Sequence, residues 1–125
     1  MLVLPEEKDA AQSRDIRENT YWGVAAYFGP LCLLTLLMRR KSPFARFHGR
    51  QGLVLFVAEL IYGVVFTVLE TLTRPILPLY IGMRCVWAFA TLFLLTCVVL
   101  GVTHALKGEV APIPLLGHIL PEGRD

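Results

Sequence analysis

The chain has 125 residues, 55% of them apolar, and a mean hydropathy of +0.59. A soluble domain this short has too much surface per volume to hide so much apolar side chain, so the bilayer is the expected solvent. A net charge of only +2 spreads no global basic field, which argues against nucleic acid as a partner.

Residues 1–19 read as an exposed polar tail in which 9–19 can form a short helix. Glu6, Glu7, Asp9, Asp15 and Glu18 are too acidic for a signal or transit peptide, so the chain is expected to insert through its own spans. The first span is predicted over 21–38. Tyr21 and Trp22 open it as interfacial aromatics, and Gly29-Pro30 is expected to kink it.

Residues 39–52 then read Arg-Arg-Lys-Ser-Pro-Phe-Ala-Arg-Phe-His-Gly-Arg-Gln-Gly, with five basic residues and no acidic one. A basic turn between apolar runs fixes orientation, because Lys and Arg near span ends stay cytoplasmic. Ser42 as N-cap and Pro43 at the first helical position predict a helix start. A short interfacial helix is therefore expected over 43–50, with Phe44 and Phe47 on one side and Arg46 and Arg50 on the other. Candidate contacts for a partner or for anionic lipid headgroups are Arg39, Arg40, Lys41, Phe44, Arg46, Phe47, His48, Arg50 and Gln51.

The second predicted span, 53–72, carries two carboxylates. Glu59, Gly63, Phe66 and Glu70 share one helical face, with Tyr62 beside it. Such a polar stripe should face a bundle, and Gly63 should let a neighbouring helix approach. Arg74, Pro75 and Pro78 predict a turn before a third span over 80–106, which Lys107-Gly108 ends. Arg84, near the start of this span, is expected to pair with Glu70. Glu59, Glu70 and Arg84 form the candidate intramembrane polar site. Residues 109–125 are a Pro- and Gly-rich tail.

These readings define an all-α integral membrane protein with a polar tail, a transmembrane domain over 20–108 and a C-terminal tail. It has three transmembrane helices, or four, and an interfacial helix in the basic loop. Three spans place seven Lys and Arg on the side of the loop and five on the other. That puts the loop 39–52 in the cytoplasm and the N-terminus outside, in the bacterial cytoplasmic membrane.

Cys32, Cys85 and Cys97 lie in apolar runs, an odd count with neither disulfide nor zinc spacing. No HExxH, GxSxG or phosphate-loop motif occurs, so no catalytic, metal or cofactor residues are assigned.

Residues 42–53, Ser-Pro-Phe-Ala-Arg-Phe-His-Gly-Arg-Gln-Gly-Leu, resemble a signature of small bacterial membrane proteins related to the chloroplast inner-envelope import component. Residues 27–31, 104–109 and 113–117 agree with it, and the resemblance spans 21–118. Gly49 and His104 depart from the family pattern. The resemblance implies a helical membrane protein similar to parts of a protein-conducting complex, whose chloroplast members look four-spanning; it assigns no catalytic residues. The expected function is a non-enzymatic interaction subunit, partnered by copies of itself or by other membrane proteins. The alternative is a small oligomeric channel or transporter using Glu59.

Overall fold

The computed structural model describes residues 4–111. It is all-helical, with α1 over Pro5–Ala25, α2 over Leu31–Met38, α3 over Pro43–Thr73 and α4 over Leu77–Leu106.

Helix α1 takes in most of the stretch expected as a polar tail. Pro5 opens it, Glu6 and Glu7 lie in its first turn, and the Leu4 amide donates to Glu7 Oε2 at 3.4 Å. Acidic side chains there complement the helix dipole. Tertiary contacts extend the helix where composition suggested a tail: Ile16 packs against the core and Asn19 is buried.

The first predicted span is not one helix. Helix α1 stops at Ala25, residues 26–30 turn, and α2 runs back. Gly29 adopts φ +60°, a left-handed conformation that glycine takes without a Cβ penalty, and Pro30 follows it. The expected kink is thus a reversal. Beyond it the Thr35 hydroxyl reaches the carbonyl of Trp22.

The α3 start follows the predicted capping: Ser42 Oγ accepts from the Ala45 amide at 3.1 Å, with Pro43 at the first position. Residues 43–50 are not a separate interfacial helix, however. They are the first turns of the 31-residue α3, because nothing after Pro43 interrupts the hydrogen-bond ladder. At 1.5 Å per residue α3 is about 46 Å long, more than the ~30 Å hydrocarbon core requires. Helix α4 starts at Leu77 and accommodates Pro78 in its first turn. It ends at Lys107 and Gly108, the latter at φ +71°.

Helices α3 and α4 are both long and apolar enough to cross a membrane. Their outer portions expose large apolar side chains, among them Leu60, Val64, Val68, Val86, Phe89 and Leu95. So wide an apolar surface is suited to lipid rather than water. The buried core sits at the opposite end, where α1 and α2 pack on the start of α3 and the end of α4. It comprises Tyr27, Phe44, Leu55, Cys97 and Ala105, with Ile16, Val24 and Val102 beside them. The molecule is therefore an apolar helical hairpin on a compact four-helix base.

Candidate functional site

The base is assembled by close backbone approach. A Cβ on Gly52 would stand 1.9 Å from the Ala26 carbonyl oxygen, and one on Gly101 would stand 2.3 Å from the Tyr27 ring. Gly23 lies against Phe44 and Gly49 against Leu36 in the same way. These glycines let the α1–α2 unit press onto α3 and α4.

His48 sits at the centre with no exposed surface. Its Nδ1 is 2.7 Å from the Tyr27 hydroxyl and its Nε2 is 2.9 Å from the Glu109 carbonyl. A carbonyl only accepts, so Nε2 carries the hydrogen. In the neutral ring Nδ1 then accepts, and the Tyr27 hydroxyl donates to it. The rings of Phe44, Phe47 and Tyr27 meet the imidazole edge-on. Burial drives the His48 pKa down to about 4, against the Glu109 hydrogen bond, which raises it. This histidine lies in the first turns of α3, before the apolar stretch 53–72, and ties α3 to the turn after α1 and to the segment after α4.

Asp15 ties α1 to the same place. Its Oδ2 accepts from the Phe44 amide at 3.2 Å, one of the free N–H groups at the start of α3, and its Oδ1 accepts from Asn19 Nδ2 at 2.9 Å. Thr35 Oγ1 donates to the Trp22 carbonyl at 3.1 Å, and the Arg39 guanidinium lies 5.1 Å from the Trp22 ring centroid.

The predicted contact residues therefore separate by chemistry. Phe44, His48 and Gln51 are buried, while Arg46, Phe47 and Arg50 are half-buried. Arg39, Arg40 and Lys41 are exposed and line a cleft with Asp15, Glu18, Asn19, Leu37, Met38 and Ser42.

The intramembrane candidates separate too. Arg84 Nη1 reaches Glu70 Oε1 at 3.5 Å, as expected, and Tyr80 donates to the same oxygen at 3.2 Å. Arg84 also lies 4.7 Å from the Trp87 ring centroid. These groups occupy the hairpin tip. Glu59 is half-buried on α3, and the neighbouring Tyr62 hydroxyl bonds the Trp87 carbonyl at 2.9 Å and Thr91. Gly63 is exposed with nothing within 4 Å of its would-be Cβ, so it receives no helix among the described residues.

A family model described as the magnetosome magnetite crystal formation protein family, MamF/MmsF, matches residues 19–120. The chain belongs to the MamF/MmsF family. Magnetosome protein MamF of Magnetospirillum gryphiswaldense is 28% identical over 96 residues, 77% of each chain. No solved structure matches.

This membership corrects the resemblance to the chloroplast import component. All the pieces that carried it, over 27–31, 42–53, 104–109 and 113–117, fall inside the MamF/MmsF match. Within the loop piece, Phe44, Ala45, His48, Gly49, Gln51 and Gly52 are buried. Such residues report how helices pack, and packing does not fix a biological role. Residues 113–117 and most of the predicted C-terminal tail lie outside the described residues.

Asp15, Asn19 and Tyr27 were not singled out as site residues from sequence. Their signal was a spacing: Asn19, Gly23, Ala26 and Tyr27 recur at helical intervals through a segment that otherwise reads as a polar tail followed by a span.

Proposed function

We propose that this MamF/MmsF member is a two-span protein of the membrane surrounding magnetite crystals, and that it acts in their formation through contacts rather than by catalysing a reaction. The match over residues 19–120 carries this reading. The long apolar pair α3 and α4 supports a membrane location. A contact role is supported by His48, whose two ring nitrogens are both engaged in holding the base together.

Two spans are favoured over three by the return of α2 alongside α1, which puts Trp22, Thr35 and Arg39 at one level. Helix α1, the loop 39–52 and the end of α4 then share one face. Among the described residues nine Lys and Arg fall on that face, and only Arg74 and Arg84 on the other. This asymmetry is far steeper than the near-even split of a three-span reading, and it supports a cytoplasmic base.

The test is a tagged copy in a magnetite-forming bacterium whose own MamF/MmsF proteins are deleted. The tag should co-purify with the membrane around the crystals, and the deletion should change crystal number or dimensions in electron micrographs, restored by the copy. Uniform distribution over the cell membrane with unchanged crystals would overturn the reading.

A further inference from the structure

Helix α2 carries no charge, yet its Leu31, Leu33, Leu34, Leu37 and Met38 are exposed. Phe28 leads into it from the reversal and is 54% exposed. Cys32 and Thr35 are turned inward instead. The base therefore carries an aliphatic face that suits water poorly.

The packing fixes how deep that face lies. Gly52 meets the Ala26 carbonyl and Cys32, Gly49 meets Leu36, and Gly101 meets Tyr27. Helix α2 thus runs antiparallel to α3, with the reversal 26–30 toward the hairpin tip and Arg39 away from it. Gly52 lies 18 residues before Glu70, and Gly101 lies 17 residues after Arg84. Glu70, Arg84, Tyr80 and Trp87 gather at the tip, and charge with Tyr and Trp is the composition of a membrane–water interface. At 1.5 Å per residue both helices put the reversal about 26 Å from that group, within a hydrocarbon layer ~30 Å thick.

The main chain of the reversal is suited to that depth. The amides of Ala26, Tyr27, Phe28, Leu31, Cys32 and Leu33 donate to carbonyls within residues 22–30, and Pro30 has no amide hydrogen. Ala26 and Tyr27 are buried against α3 and α4. Lipid offers no partner to a bare main-chain group, so irregular backbone at membrane depth has to be satisfied and packed by the protein itself.

Charge marks the other limit. No charged residue occurs between Glu18 and Arg39. Arg39, Arg40 and Lys41 then follow α2 at once, all exposed. The Arg39 guanidinium lies against the Trp22 ring, so both arms of the reversal leave the apolar stretch at one level. Basic side chains at such a level meet lipid phosphate.

We propose that the α1–α2 reversal is a re-entrant wedge. Phe28, Leu31, Leu33 and Leu34 enter the acyl layer of the cytoplasmic leaflet without crossing it, and Arg39, Arg40 and Lys41 meet the phosphates above. Lipid is the occupant, rather than a second copy or another protein, because the face adjoins in depth the exposed Val57 of the α3 span and presents only hydrocarbon and thioether groups. The proposal rests on the two-span reading given above and seats the base in the membrane rather than beside it.

The test places an environment-sensitive fluorophore on single cysteines. Cys85→Ser removes the exposed thiol, while Cys32 and Cys97 are buried. Phe28→Cys and Leu33→Cys carry the label on the wedge, and Ser13→Cys carries it on the exposed part of α1. Two wedge positions keep the test open should one label disturb the turn, which circular dichroism checks. The full chain is reconstituted in vesicles of phosphatidylethanolamine and phosphatidylglycerol whose acyl chains are brominated either near the headgroup or near the methyl end. Headgroup-proximal bromines should quench positions 28 and 33 several-fold more than position 13. Iodide present on both sides of the bilayer should show the reverse order.

Iodide quenching as strong at positions 28 and 33 as at 13 would put the face in water and overturn the proposal. Quenching by neither agent would reveal a protein cover, a second copy or another chain, and would overturn it too. Both outcomes leave the two-span reading standing. Strongest quenching of position 28 by methyl-end bromines would mean that residues 21–38 cross the bilayer, which overturns the wedge and the two-span reading together.

Discussion

Trp22 and Thr35 are neighbours across a helical reversal. The Thr35 hydroxyl donates to the Trp22 carbonyl at 3.1 Å, although a single helix through both would separate them by about 20 Å. Reporters active on one side of the membrane, fused at residue 1 and inserted after Lys41, should therefore give the same signal. Opposite signals would mean that residues 21–38 cross the bilayer and that the α1–α2 reversal does not persist in lipid.

The helical class, the α3 cap at Ser42-Pro43, the α4 stop at Lys107-Gly108 and the Glu70–Arg84 pair were all legible in the sequence. Each is a local signal or a charge-pairing argument. The reversal at Gly29-Pro30 was not, because a kinked span and a folded-back pair have the same hydropathy; what distinguishes them is Thr35 against Trp22 and Gly52 against Ala26, both tertiary. The burial of Phe44, His48 and Gln51 was hidden for a similar reason. Interleaved aromatic and polar residues suit an exposed docking loop or a hydrogen-bonded core equally well, and only the positions of Tyr27 and Glu109 separate the two.

Gly52 should tolerate no side chain. The Cβ of Gly52→Ala would meet the Ala26 carbonyl oxygen, a main-chain atom that cannot rotate away. Overpacking typically costs about 1–3 kcal/mol, and this substitution belongs at the upper end. Gly101→Ala, against the Tyr27 ring, should also destabilise. Gly63→Ala is the control: its Cβ meets nothing within 4 Å, and alanine favours a helix by up to about 1 kcal/mol over glycine. Unfolding in graded denaturing detergent would rank the three. A Gly52→Ala midpoint matching that of Gly63→Ala would refute the close approach.

The Tyr27–His48 bond should make the base sensitive to acid. His48 has a folded pKa of about 4 against an ordinary 6.5, mainly through burial. Between those values the unfolded chain binds more protons than the folded one. The His48 contribution is thus at its full value above about pH 6.5, falls as the pH drops, and levels off below about pH 4. Comparing unfolding midpoints at pH 7 and pH 5 in wild type and His48→Gln isolates it, since the variant should lose that part of the slope. Tyr27→Phe should cost about 1–3 kcal/mol at pH 7 by leaving Nδ1 buried without a donor.

Asp15 and Ser42 cap the same helix from different places, and their substitutions should differ in reach. Ser42→Ala removes a local acceptor from the Ala45 amide and should cost about 1 kcal/mol, confined to the start of α3. Asp15→Ala removes an acceptor from the Phe44 amide at a similar cost, but the residue belongs to α1, 29 positions away. It also takes away the Asn19 Nδ2 contact. Hydrogen exchange should therefore accelerate at the α3 start in both variants, and along α1 in Asp15→Ala alone. Asp15→Asn keeps an oxygen acceptor but not the charge that favours a helix N-terminus, so it should fall between wild type and alanine. If α1 exchanges equally fast in Ser42→Ala and Asp15→Ala, the Asp15–Phe44 bond is not what anchors α1 to the base.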